Sequence, residues 1–252
     1  MTEITGIDHA LPKETEQLKP IQRLQILVHP SFLVENTTHP VRYKGRREKP
    51  HYEKMTKAMQ ERALERMLPD GPNSLLLVMP HETPSLQSWR DSLEAKKGDP
   101  DLGNWTDFYK AAKTQTQYKE NVFLVGDLAM SVNENSKSQV EQAHQDVQRE
   151  LVEMLKQRGF QITSDTDIAV GGEFRDLCVY ETAKKILLLP QVRRLKIDQV
   201  ASFNSSHALP FEPEYIIERD ESYQAILLAI LDEYTVGDDG DFLYIEKPQG
   251  ET

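Results

Sequence analysis

Cys178 is the one cysteine of the chain, and the pattern around it sets it in the opening turn of a helix that follows a strand. A thiol there sits among backbone N–H groups that have no helical partner, at the positive end of the helix dipole. That environment favours the thiolate. The same N–H groups can hold the oxyanion formed when a thiolate attacks a carbonyl. Gly171 and Gly172 come before it in what reads as a turn, and glycine lets backbone approach a ligand closely. Glu173 and Phe174 follow them and are candidate substrate contacts, as is His81. The plainer alternative for Cys178 is a small apolar side chain that packs its helix against the sheet.

Other chemistry-bearing residues also stand just behind apolar runs. His29 follows Leu24 to Val28, His81 and Glu82 follow Leu75 to Met79, Asp127 follows Val122 to Val125, and Asp198 follows Val192 to Ile197. A histidine within reach of the thiol can take its proton, and a carboxylate behind the histidine can hold the imidazole tautomer. Cys178, His29 and Asp127 are the residues of such an arrangement. His29, His39, His81, Glu82, Asp127 and His207 could also supply nitrogen and oxygen ligands, but no pair has the four-residue helical spacing of a zinc motif. No metal is expected. Asp238-Asp239-Gly240-Asp241 lacks the glutamate that a calcium loop carries about twelve positions after its first ligand. There is no G-x-G-x-x-G and no glycine-rich phosphate loop with its Lys and Ser/Thr, so no cofactor is expected.

The elements that must position these residues are legible as apolar runs and stripes. Short runs that are apolar on both faces alternate with amphipathic helices, which predicts a parallel sheet covered on both sides. His51 to Leu68 carries Met55, Met59, Ala63 and Met67 on one helical face. Helices are also predicted from Ser85 to about Lys97, from Asn104 to Lys113 (Trp105, Phe108, Tyr109 and Ala112 on one side), from Ser138 to Arg158 with Gly159 as its stop, from Asp176 to Leu188, and from Ser222 to Tyr234. Ile168 to Val170 is a strand ending at Gly171-Gly172. Tyr215 to Ile217 and Phe242 to Ile245 are further strand candidates. In such a sheet ligands gather at the carboxyl ends of the strands.

The chain has 252 residues and a net charge of -11. The length fits one α/β domain with extensions: a polar N-terminal arm over 1–20, the domain over 21–236, and an acidic tail over 237–252. The negative balance argues against a nucleic-acid surface. Lys44, Arg46, Arg47 and Lys49 form a local basic exception, read first as a solvated loop and second as a clamp for a phosphate or carboxylate. No stretch approaches the ~18 apolar residues of a membrane span, and the amino terminus has no leader pattern. A single thiol suits a reducing compartment, so the expected location is the cytoplasm. The expected partners are a small-molecule substrate or a protein, with self-association left open.

From Leu151 to Ser202 the sequence resembles the carboxyl-terminal half of the isochorismatase-like hydrolases, the fold shared with nicotinamidases. The match lies in the turn glycine at 171 or 172, in Asp176, Cys178, Val179, Thr182 and Ala183, and in Asp198, Ala201 and Ser202 after the next strand. The resemblance implies a three-layer α/β sandwich with a mostly parallel central sheet and a cysteine nucleophile acting on a small amide, ester or related carbonyl compound. It also implies an aspartate at the end of the first strand and a lysine near the end of a middle one. His29 and Gly126-Asp127 stand there instead, and His29-Pro30-Ser31-Phe32 replaces the family's aspartate–glutamine pair. Two expectations follow: a rebuilt Cys178–His29–Asp127 site, or a fold kept as a binding or assembly module without the chemistry.

Overall fold

The computed structural model describes residues 17–31, 49–80, 102–126, 147–173, 178–203 and 235–247. Its strands are β1 (Lys19–Pro20), β2 (Arg23–Val28), β3 (Ser74–Met79), β4 (Val122–Leu124), β5 (Phe160–Gln161), β6 (Asp167–Glu173), β7 (Arg194–Phe203), β8 (Thr235–Asp238) and β9 (Phe242–Glu246). Its α-helices are α1 (Lys49–Met67), α2 (Trp105–Gln115), α3 (Met154–Gln157), which continues a π-helical turn over Gln148–Glu153, and α4 (Tyr180–Leu187).

The main sheet has the order β4-β3-β2-β6-β7-β9-β8. The pairs from β4 to β7 are parallel, and β9 joins antiparallel with β8 as its hairpin partner. Successive residues of a strand face opposite sides. Leu24, Ile26 and Val28 of β2 accordingly enter one apolar cluster with Val147, Leu151 and Leu155 and with Ala183 and Ile186 of α4. Leu27, with Leu76 and Val78 of β3, enters a second cluster with Met59, Ala63 and Met67 of α1 and Phe108 of α2. Helices therefore cover both faces of a mixed, mostly parallel sheet, and the chain is an α/β protein. No helix among the described residues is long and apolar enough to cross a membrane.

The local causes are visible. Pro50 falls in the first turn of α1, where its missing N–H is no loss. Asn104 caps α2 by accepting from the Asp107 N–H at 2.9 Å. Gly159, at φ +80°, ends α3 in the left-handed conformation that glycine adopts without strain.

Five expectations are corrected or extended. Gly171-Gly172 is no turn, since β6 runs through both to Glu173. Asp198 does not end its strand, since β7 continues to Phe203 through a bulge. The helix expected from Asp176 is α-helical from Tyr180, with Cys178 and Val179 in a wider turn before it and 174–177 outside the described residues. The boundary drawn between 236 and 237 falls inside β8, so the start of the acidic tail belongs to the sheet. Lys19 and Pro20, read as the end of the polar arm, pair with β5 in a small parallel sheet. The predicted elements at 85–97, 215–217 and 222–234, most of the basic stretch 43–49, and His39, Glu82 and His207 lie outside the described residues.

Candidate functional site at the carboxyl edge of the sheet

The chain lays down β2, β3 and β4 outward in one direction, then returns to the other side of β2 for β6 and β7. The order reverses between β2 and β6, and the carboxyl ends flanking such a reversal are where α/β sheets bind ligands. His29 leaves β2 there, and Glu173 ends β6.

His29 is 2% exposed and has a φ of +46°. It is the one described residue other than glycine with a positive φ, and left-handed backbone costs a residue with a Cβ roughly 1–2 kcal/mol. The strain is held by the surroundings. The His29 N–H donates to the Met79 carbonyl at 2.7 Å, and the next carbonyl, of Pro30, accepts from the buried Gln60 side chain at 2.6 Å. Strain that is over-determined in this way gathers at functional sites.

Opposite Val28 stands Gly172, at φ +123°. A Cβ there would lie 1.9 Å from the Val28 carbonyl oxygen, so only glycine fits. The tight approach coincides with the bulge. Val170 pairs with Ile197 but Gly172 pairs with Ser202, so Gly171 alone stands opposite residues 198–201. Asp198 shapes the bulge: its Oδ1 accepts from the Val200 and Ala201 N–H groups at 3.0 and 2.9 Å, and its Oδ2 accepts from Arg66 Nε at 2.8 Å. The same contact raises the pKa of Arg66. A second arm of Arg66 reaches Asp241 at 3.0 Å, tying the carboxyl-terminal hairpin to α1.

Glu173 is fully buried. Its Oε1 accepts from the Thr56 hydroxyl at 2.9 Å, which turns the carboxylate toward α1. Gln60, one turn further along α1, accepts from the Gly103 N–H at 2.8 Å. The α1 side of this edge is thus a buried polar network. Cys178 is half-buried and packs on the opposite side, against the cluster that holds Val179 and Ala183. Its carbonyl accepts from the Thr182 hydroxyl at 2.8 Å. Three residues further on, burial raises the pKa of Glu181, with Lys185 pulling it back.

Among the residues expected in the site, His29, Gly171, Gly172 and Glu173 converge at the reversal point. Cys178 follows in the adjoining helix on the far side of the sheet from the Glu173 carboxylate. Asp127, His81 and Phe174 lie outside the described residues. The residue pattern did not single out Thr56, Gln60, Arg66 or Ser202 as site residues. Thr56 and Gln60 carried a signal, being polar and four apart on the core-facing side of a methionine-rich helix. Among the described residues no group of three His, Cys, Asp or Glu could hold a metal ion. The other edge differs: an open cleft of about 460 Å³ there is lined by Val152, Leu155, Ile162 and Pro190.

Comparison of the chain with protein-family models, with curated proteins and with solved structures finds no match.

Proposed function

We propose that the chain is a divergent isochorismatase-like cysteine hydrolase acting on a small amide, ester or related carbonyl compound at the carboxyl edge of its sheet. The observation that carries this reading is the strained, buried His29 at the strand-order reversal, on the strand next to the one that leads to Cys178. In this reading Cys178 gives its proton to His29 and the thiolate attacks the carbonyl carbon. Backbone N–H groups of the first helical turn hold the oxyanion. His29 returns the proton to the leaving amine or alcohol, and water then cleaves the thioester to a carboxylic acid. Asp127 orients the imidazole. Gly171, Gly172, Phe174 and His81 contribute to the substrate side of the pocket, and Glu173, its carboxylate turned toward α1, holds the edge from the other face of the sheet.

The packing of Cys178 against an apolar cluster favours a second reading, a binding or assembly module that keeps the fold without the chemistry. Alkylation of the only thiol by iodoacetamide across pH separates the two. The hydrolase reading expects a midpoint below the ~8.5 of free cysteine, moving up toward that value in His29→Ala. A wild-type midpoint at or above that of free cysteine sinks it in favour of the binding module.

A further inference from the structure

The two parallel strands β6 and β7 do not meet in a regular ladder at the site. Between the pairs Val170–Ile197 and Gly172–Ser202 residues 198–201 of β7 stand opposite Gly171 alone, and the Gly172 N–H donates to the Ser202 hydroxyl at 3.1 Å. That hydroxyl donates its own proton to the Asp198 carbonyl, so both of its roles are in use and its direction is set. Ser202 and Asp198 are buried, and Asp198 is held in turn by the Val200 and Ala201 N–H groups and by Arg66. The chain Arg66–Asp198–Ser202–Gly172 therefore ends on the residue whose backbone is pressed against Val28, next to His29, and from which β6 leads on to Cys178.

We infer that Ser202, anchored by Asp198, is a positioning residue for the cysteine site. Its hydroxyl tethers Gly172 toward β7, on the side of β6 away from Val28, and so fixes where Gly172 sits between the two strands and with it the spacing between the His29 backbone and the start of the segment that leads to Cys178. This rests on the hydrolase reading above. Ser202→Ala removes both the link to Gly172 and the hydroxyl's bond to the Asp198 carbonyl. Gly172 then loses its fixed place between β2 and β7, and His29 and Cys178 lose their mutual setting without either being altered.

The test is the pH profile of iodoacetamide alkylation for wild type, Ser202→Ala, Ser202→Thr and Asp198→Asn, with a melting curve for each. Ser202→Ala is expected to raise the alkylation midpoint by about one pKa unit, a loss of up to about tenfold in thiolate at neutral pH. Ser202→Thr, which keeps the hydroxyl, restores the wild-type midpoint. Asp198→Asn, which keeps the acceptor for the Val200 and Ala201 amides, moves the midpoint the same way by less, and it serves in place of the alanine variant if that fails to fold. A lowered wild-type midpoint that survives in Ser202→Ala, with only the melting temperature reduced, overturns the positioning role and leaves the hydrolase reading intact. A wild-type thiol that behaves like free cysteine overturns both.

Discussion

The two edges of the sheet are built from the same strands and differ in almost every local respect. At the amino edge the chain turns by ordinary means. Thr163 and Thr166 close one turn through the Thr163 N–H at 2.9 Å, and Asn121 braces the start of β3 through the Ser74 carbonyl at 3.0 Å. Its ion pairs, among them Arg23 with Asp70 at 2.8 Å and Lys196 with Asp167 at 2.7 Å, lie at the surface, and Gly159 has its positive φ with open space around it. The carboxyl edge holds a strained histidine, a glycine in contact with a neighbouring carbonyl, a bulge built on a buried aspartate, and a fully buried glutamate. Folding alone does not require these features, since the other edge manages without them. Strain and buried polar groups are retained where a site needs fixed geometry.

The largest effect should separate the two edges at their glycines. Gly172→Ala would set a Cβ 1.9 Å from a backbone oxygen at φ +123°, and we expect a loss of more than ~4 kcal/mol or failure to fold. Gly159→Ala meets nothing within 4 Å at φ +80° and should lose only the left-handed penalty of roughly 1–2 kcal/mol. Urea unfolding of both variants measures the difference, and equal losses would remove the contrast.

A smaller effect tests the polar network. Thr56→Val keeps the shape of the side chain but takes a donor from the buried Glu173 carboxylate, which should cost about 1–3 kcal/mol. The matching change at the amino edge, Asp70→Asn, breaks an exposed pair and should cost under ~1 kcal/mol, less again in salt. A loss for Thr56→Val as small as that for Asp70→Asn would mean that Glu173 is well satisfied without Thr56.

The sequence showed where the inner strands lie far better than it showed where they end or what stands beside them. Apolar runs such as Leu24 to Val28 and Leu75 to Met79 mark β2 and β3 closely, because a strand buried on both faces leaves an unbroken apolar signature. The stripe Met59, Ala63 and Met67 marks α1 for the corresponding reason. Gly171-Gly172 misled, because glycine serves a turn and a close backbone approach equally well, and only the neighbouring strand at Val28 decides which. Asp198 misled for the same reason: an Asp behind an apolar run reads as a strand end, yet here its carboxylate folds a bulge that lets the strand go on. The Arg66–Asp198 and Thr56–Glu173 contacts join residues far apart in the chain, and no local pattern encodes a partner at that distance. The acidic residues from Asp238 to Asp241 order the hairpin turn, with Asp239 accepting from the Phe242 N–H at 2.7 Å.

The smallest effect concerns charge beside the thiol. Burial raises the Glu181 carboxyl above its ordinary value of 4.5, and Lys185 only partly offsets this. Folding therefore favours the protonated form. That stabilisation is present in full below the ordinary glutamate pKa and disappears as pH rises through the raised one. At neutral pH the wild type carries a desolvated carboxylate in the first turn of α4, three residues from Cys178. Glu181→Gln removes that charge and keeps the shape, so its melting temperature should exceed wild type by ~1 °C at pH 7 and converge with it near pH 4. Thermal melts at the two pH values check this. The same variant should also lower the alkylation midpoint of Cys178, because a negative charge near a thiol disfavours the thiolate. A lower melting temperature at pH 7 together with an unmoved thiol midpoint would show that Glu181 serves the helix and its lysines instead, and that its charge does not reach the sulfur.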